Sequence, residues 1–129
     1  MSEEFKLDIV NPEKLFVSKN DVIEVVAPSL EGEMGILKNH ISIISFLKPG
    51  ILKVISKNNQ ESYFIEDGIL EFKDNELSIL TSTIFDLKNS DKTYISNSLK
   101  DAEKQLQNQD INDQKRYLLT QKIDTLRQI

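Results

Sequence analysis

The chain contains no cysteine and no tryptophan, and only one histidine, four glycines and three prolines in 129 residues. Without cysteine, disulfides, thiolate metal sites and cysteine nucleophiles are excluded together, and the single His40 rules out a multi-histidine zinc centre. Few glycines and prolines beside 39% hydrophobic and 29% charged residues exclude a disordered or low-complexity chain. Long hydrophobic runs are missing too. The most apolar stretch, residues 41–47, is broken by Ser42 and Ser45 and falls far short of the roughly 20 residues that a membrane-crossing helix needs. The acidic start Met1-Ser2-Glu3-Glu4 leads straight into an alternating pattern, so neither a secretory signal nor a transit peptide is expected there. Positive charge is also short: 16 basic against 21 acidic side chains leave −5, a field that repels phosphate backbones and argues against nucleic-acid binding.

What is present divides into two patterns. From residue 5 to about 87 the apolar residues come in short runs bounded by turn formers, the signature of a sandwich or barrel. Phe5, Leu7 and Ile9 alternate with Lys6 and Asp8 until Asn11-Pro12; runs over 15–17 and 22–27 follow, with Pro28 expected to stop the second. A loop is expected over 29–39, then a hairpin of 41–47 and 51–55 about Pro49-Gly50. Two further tight turns are expected at Asn58-Asn59 and Asp74-Asn75, whose side chains tolerate positive φ.

From residue 91 the period lengthens. Ile95, Leu99, Ala102 and Leu106 share one helical face, with Ser90 or Asp91 as N-cap. A polar break at 108–110 precedes a second helix in which Leu119, Ile123 and Leu126 align, flanked by Ile111, Leu118 and Ile129. The expected architecture is α+β: a two-sheet antiparallel β-sandwich over 1–88 and an antiparallel two-helix hairpin over 89–129. Charge divides at the same boundary, with nine basic and fifteen acidic residues before it and seven basic and six acidic after it. The second helix carries Lys115, Arg116, Lys122 and Arg127, a set suited to an acidic partner surface or to a solvated face.

The segment 31–40, Glu31-Gly32-Glu33-Met34-Gly35-Ile36-Leu37-Lys38-Asn39-His40, is the most distinctive. Two glycines three apart suggest a tight loop with Glu33 and Met34 at its tip. An acid–base pair of Glu31 or Glu33 with His40 lacks a nucleophile, an oxyanion loop and an orienting third group beside it. The other readings are a plain connection with solvated acids and a backbone-bonded His40, or an interface. No Lys-Ser or Lys-Thr follows the second glycine and no G-x-G-x-x-G run occurs, so no phosphate loop is expected. Asp74-Asn75-Glu76 lacks the calcium-loop spacing. No cofactor, metal or catalytic residue is expected.

The order of these segments resembles a known family. The strand Phe5-Lys6-Leu7-Asp8-Ile9-Val10 with Asn11-Pro12-Glu13, the run Glu31-Gly32-Glu33-Met34-Gly35-Ile36-Leu37 with His40, then Leu47-Lys48-Pro49-Gly50 and Asp67-Gly68-Ile69-Leu70-Glu71 before a strand over 77–80, are similar to the ATP synthase epsilon subunit family, to which the mitochondrial delta subunit is related. The resemblance implies a non-catalytic sandwich-plus-hairpin subunit that binds the gamma subunit and sits on the c-subunit ring. There it couples ion-driven ring rotation to ATP synthesis, peripherally at the cytoplasmic face of the bacterial inner membrane, touching the membrane only through the ring. It also implies that Glu31, Gly32, Glu33, Met34, Gly35 and His40 face the ring and the gamma subunit. The hairpin, with Lys115, Arg116, Lys122 and Arg127, would reach the alpha and beta subunits of the catalytic head and inhibit hydrolysis. Members that bind ATP on the hairpin carry Ile/Leu-Asp-x-x-Arg-Ala; the nearest register here, Ile95-Ser96-Asn97-Ser98-Leu99-Lys100, lacks the Asp and the Arg. Two rivals are a free-standing small-molecule sensor with a helical lid and a hydrolase built on His40.

Overall fold

A computed structural model describes residues 3–89 and 91–129. Nine strands form among the described residues: β1 (Phe5–Asn11), β2 (Lys14–Ser29), β3 (Gly32–Leu37), β4 (Ile43–Leu47), β5 (Gly50–Ser56), β6 (Asn59–Ile65), β7 (Gly68–Lys73), β8 (Glu76–Leu80) and β9 (Ile84–Asp86). A single 3-10 turn at Leu87–Asn89 leads to helices α1 (Lys92–Leu106) and α2 (Asp113–Arg127). The sandwich and the helical hairpin are therefore both present.

Two layers are joined by β2, which runs 16 residues through Pro28 instead of stopping at it. Its first half pairs with β1, and its second half with β3 and β5. Each register shift along these ladders places an extra residue on β2, and such bulges add twist that lets one strand turn from one layer into the other. Pro28 is tolerated because its carbonyl accepts from Lys48 N (2.9 Å), so its missing N–H lies on that same side and its pairing with Glu33 loses no ladder bond.

The segment 32–37, expected as part of a loop, is strand β3, paired residue by residue from Ser29↔Gly32 to Glu24↔Leu37. The expected 41–47/51–55 hairpin does not form. β4 pairs with β7 and touches β2 only at Ser29↔Leu47, while β5 pairs with β2 and β6, so Pro49-Gly50 carries the chain between layers. Gly50 is required there, because an added Cβ would stand 2.6 Å from Pro28 Cβ. One pairing, β1 with β8, is parallel rather than antiparallel. These strands are distant in sequence, so no tight turn dictates their direction.

The turn before β6 sits at Lys57 and Asn58, one residue earlier than expected, without positive φ. Asp74 (φ 52°) and Asn75 (φ 60°) do form the two-residue left-handed turn between β7 and β8. One hydrophobic core, including Phe5, Leu7, Ile9, Val25, Leu52, Leu70, Phe72 and Ile79, fills the sandwich. A second, separate core of Ala102, Leu119 and Ile123, flanked by Leu99, Leu106 and Ile111, holds the hairpin. Asp91 caps α1 through Thr93 N (2.8 Å), and Asn112 caps α2 through Lys115 N (2.7 Å); Ser90, the other expected cap, lies outside the described residues.

Candidate functional site

The residues singled out in the segment 31–40 do not converge on one loop tip. Glu31 sits in the β2–β3 turn, where its N–H donates to Ser29 Oγ (3.2 Å), and Gly32 takes φ 130°, a conformation reserved for glycine. Along β3 the alternation then separates neighbours: Glu33 and Gly35 face solvent, while Met34 packs against the sandwich core. His40 lies past the far end of the strand, and Gly32 and Leu37 are already roughly 17 Å apart at strand rise. The pairing of Glu31 or Glu33 with His40 required by a hydrolase is not assembled.

His40 is held locally. Its Nδ1 donates to the Ile41 carbonyl (2.7 Å), and its ring stands edge-on to Phe72 at 5.9 Å. Asn39, at φ 67°, and Asn75 bond each other reciprocally: Asn39 N donates to Asn75 Oδ1 (2.7 Å) and Asn75 Nδ2 to Asn39 Oδ1 (3.1 Å). The end of the molecule that carries His40 is thereby tied to the β7–β8 turn.

The outer face of β1, β8, β7 and β4 carries a feature the sequence reading missed. Across four paired strands, Val10, Leu80, Ile69 and Phe46 stand in register as one apolar row, with Ile44 beside it. Leu80, Ile69, Phe46 and Ile44 are exposed by 41% to 64%. A groove of about 650 Å³ opens alongside, lined by Pro12, Leu30, Phe46, Ile69 and Leu80 on the sandwich side and by Gln114 and Leu118 of α2 on the other. A signal was available: residues 41–47 are apolar at both parities, whereas a strand with one solvated face alternates.

The four cations of α2 are placed differently from one another. Lys122 pairs with Glu66 of the sandwich, Arg127 Nη2 with Glu103 Oε2 of α1 (2.9 Å), and Arg116 Nη1 donates to the Leu106 carbonyl (3.3 Å). Lys115 is solvent-exposed. A second sandwich-to-hairpin tie joins Lys48 Nζ to the Tyr117 hydroxyl (3.4 Å), with the ammonium 5.8 Å from the ring centroid.

At the edge of the sandwich, Glu61 accepts from Lys19, from the Tyr63 hydroxyl and from Asn59 Nδ2 (3.3 Å). Burial alone would raise the Glu61 carboxyl, but the bonds from Lys19 and Tyr63 and the Lys19 and Lys88 charges hold it below its ordinary value of 4.5. Burial, then the bond and charge of Glu61, push the Tyr63 phenol upward. No group of three or more acidic or histidine side chains suited to a metal ion exists among the described residues, and none of the described helices is long and apolar enough to cross a membrane.

Comparison with known proteins adds the following. The family model "ATP synthase, Delta/Epsilon chain, beta-sandwich domain" matches residues 4–86. The ATP synthase epsilon chain of Pelagibacter ubique is 63% identical over 127 residues, covering 98% of each chain. That of Rhodopseudomonas palustris is 32% identical over 102 residues, covering 79% of this chain and 75% of the relative. A chain in the Euglena gracilis mitochondrial ATP synthase structure shares the fold with a TM-score of 0.77 at 21% identity, covering 99% of this chain and 81% of that one.

Proposed function

Because the chain belongs to the ATP synthase delta/epsilon family, as a non-catalytic epsilon chain, we propose that it works in the central stalk by docking the gamma subunit and the c-subunit ring through its sandwich. The near full-length likeness to the Pelagibacter chain carries this reading, and the apolar row Val10–Leu80–Ile69–Phe46 supports it physically. An exposed apolar band rimmed by the acidic Glu66, Asp67 and Glu71 is the anatomy of a protein-docking surface.

In this reading Glu31, Gly32 and Glu33 present the ring contact from one end of β3. Gly35 keeps the strand's outer face low, Met34 anchors the strand from within, and His40 serves the gamma and ring contacts from the other end. The sandwich over 1–88 couples, and the hairpin over 89–129 is the movable unit. Lys115, Arg116, Lys122 and Arg127 meet the alpha and beta subunits of the catalytic head, restraining hydrolysis. The complex sits peripherally at the cytoplasmic face of the bacterial inner membrane, coupling ring rotation to ATP synthesis.

The test is size-exclusion titration with the gamma subunit, then ATP hydrolysis by the head with the full chain and with a truncation ending at Asn89. A one-to-one complex, lost in Phe46→Glu, together with faster hydrolysis on truncation, is the expected result. Absence of any complex removes the stalk reading; a complex without the rise leaves coupling and removes the inhibition.

A further inference from the structure

We propose that the cavity between β9, the start of α1 and Phe16 of β2 is a socket for a guanidinium, the side chain of an arginine on a partner protein, held by aromatic rings and two carboxylates. Its volume is about 440 Å³, and its lining includes Phe16, Ile84, Phe85, Asp86, Asp91 and Tyr94. Neither the row Val10–Leu80–Ile69–Phe46 nor the segment 31–40 contributes to it.

The walls come from elements that meet only in the fold. Strand β9 has three residues and pairs with β6 alone, too short an edge to template an added strand but open to a side chain reaching in. Phe85 stacks on Phe64 (centroids 5.0 Å apart) and meets Tyr94 edge-on at 5.4 Å. Tyr94 is 49% exposed, so ring surface remains uncovered at the mouth. On the other side Phe16 meets Tyr63 edge-on at 6.0 Å and already holds a cation, with Lys14 Nζ 5.7 Å from its centroid. A guanidinium is planar and less strongly hydrated than an ammonium, which makes it the cation that stacks best on such rings.

Charge selects the same ligand. Asp86 Oδ1 accepts from Lys88 N (2.9 Å) and Asp91 Oδ1 from Thr93 N (2.8 Å), so backbone bonds position both carboxyl groups while using one oxygen of each. The remaining acceptor capacity suits an N–H donor. No lysine or arginine among the described residues lines the cavity, and the charge of the neighbouring Lys88 acts on Glu61. Anionic ligands are therefore repelled, and a neutral apolar one would cover the carboxylates without pairing them. Asn89 and Asp91 are solvent-exposed, so a small free molecule would stay largely wet in this site. A side chain tethered to a partner needs no such enclosure, because the rest of the interface supplies its local concentration.

The experiment titrates the full chain alone with N-acetyl-L-arginine amide at physiological salt, followed by amide and aromatic-ring NMR, and so reads the cavity whether or not the stalk reading holds. Exposed cation–ring contacts are individually weak, so saturable shifts at Phe16, Phe85, Asp91 and Tyr94 are expected with a Kd of about 1–10 mM. The neutral isostere N-acetyl-L-citrulline amide should leave these signals in place. Asp86→Asn with Asp91→Asn keeps both backbone acceptors and the α1 cap, and should weaken the probe about five- to ten-fold. Phe16→Leu keeps apolar volume but removes a ring, and should weaken it about two- to five-fold. Free arginine, whose own carboxylate meets Asp86 and Asp91, should bind more weakly than the blocked probe. No saturable shift, equal binding of the citrulline compound, or unchanged affinity in the Asn pair overturns the proposal. Free arginine binding as tightly as the blocked probe assigns the cavity to a free small molecule and overturns the partner side chain.

Discussion

The sandwich and the hairpin differ in how many long-range contacts each apolar residue can make. In the sandwich every strand has at least one paired neighbour from elsewhere in the chain, and side chains from both layers interlock in one core. The hairpin buries Ala102 from α1 and Leu119, Ile123 and Leu126 from α2, and the helices have only each other and one covered sandwich face. Short helices draw most of their stability from such packing, so the hairpin is the part expected to loosen first.

Mutations can sharpen this contrast. The largest effect is expected from Phe72→Ala, which removes a fully buried ring edge-on to Phe5 (5.6 Å): urea unfolding should show a loss of about 3–5 kcal/mol, with sandwich signals lost cooperatively. Ile123→Ala should cost about 2–4 kcal/mol but locally, seen as faster amide exchange in α1 and α2 with β1, β7 and β8 unchanged. If the sandwich follows Ile123 equally, the two cores are one cooperative unit and the comparison breaks. Asp91→Ala should remove about 1 kcal/mol from α1 alone, measured as reduced helicity on mild heating.

The smallest effect is tied to pH. Glu61 sits below 4.5 in the folded chain, so its stabilising contribution is present above that value and lost as pH falls through the lower folded-state value. The slope of stability against pH in that acid window should flatten in Glu61→Gln, while α1 and α2 exchange is unaffected. A slope identical to wild type would assign the acid sensitivity to other carboxylates.

Much of the local structure was legible because its causes are local. The 3.6-residue spacing of Leu99, Ala102 and Leu106 and of Leu119, Ile123 and Leu126 placed both helices and their facing sides. Asp74 and Asn75 announced a left-handed turn that only such residues adopt readily. Less of the candidate site was legible. The glycines of the segment 31–40 read as a loop because glycine is permissive, and β3 became a strand only because β2 lies beside it along its whole length. The apolar row was overlooked since it exists only when β1, β8, β7 and β4 are set side by side in register.

The sequence by itself determined the change of period near residue 90, the two helical faces, the strand alternation, the one sharp turn and the family likeness. Tertiary structure alone decided that β2 passes through Pro28 by pairing on its other side, that Pro49-Gly50 crosses between layers instead of closing a hairpin, and that β1 runs parallel to β8. It also decided that Lys122, one cation among several in the sequence, faces Glu66 across the seam. Periodicity is set by backbone geometry within a few residues, whereas pairing and counter-charge depend on which distant segment offers the complementary edge.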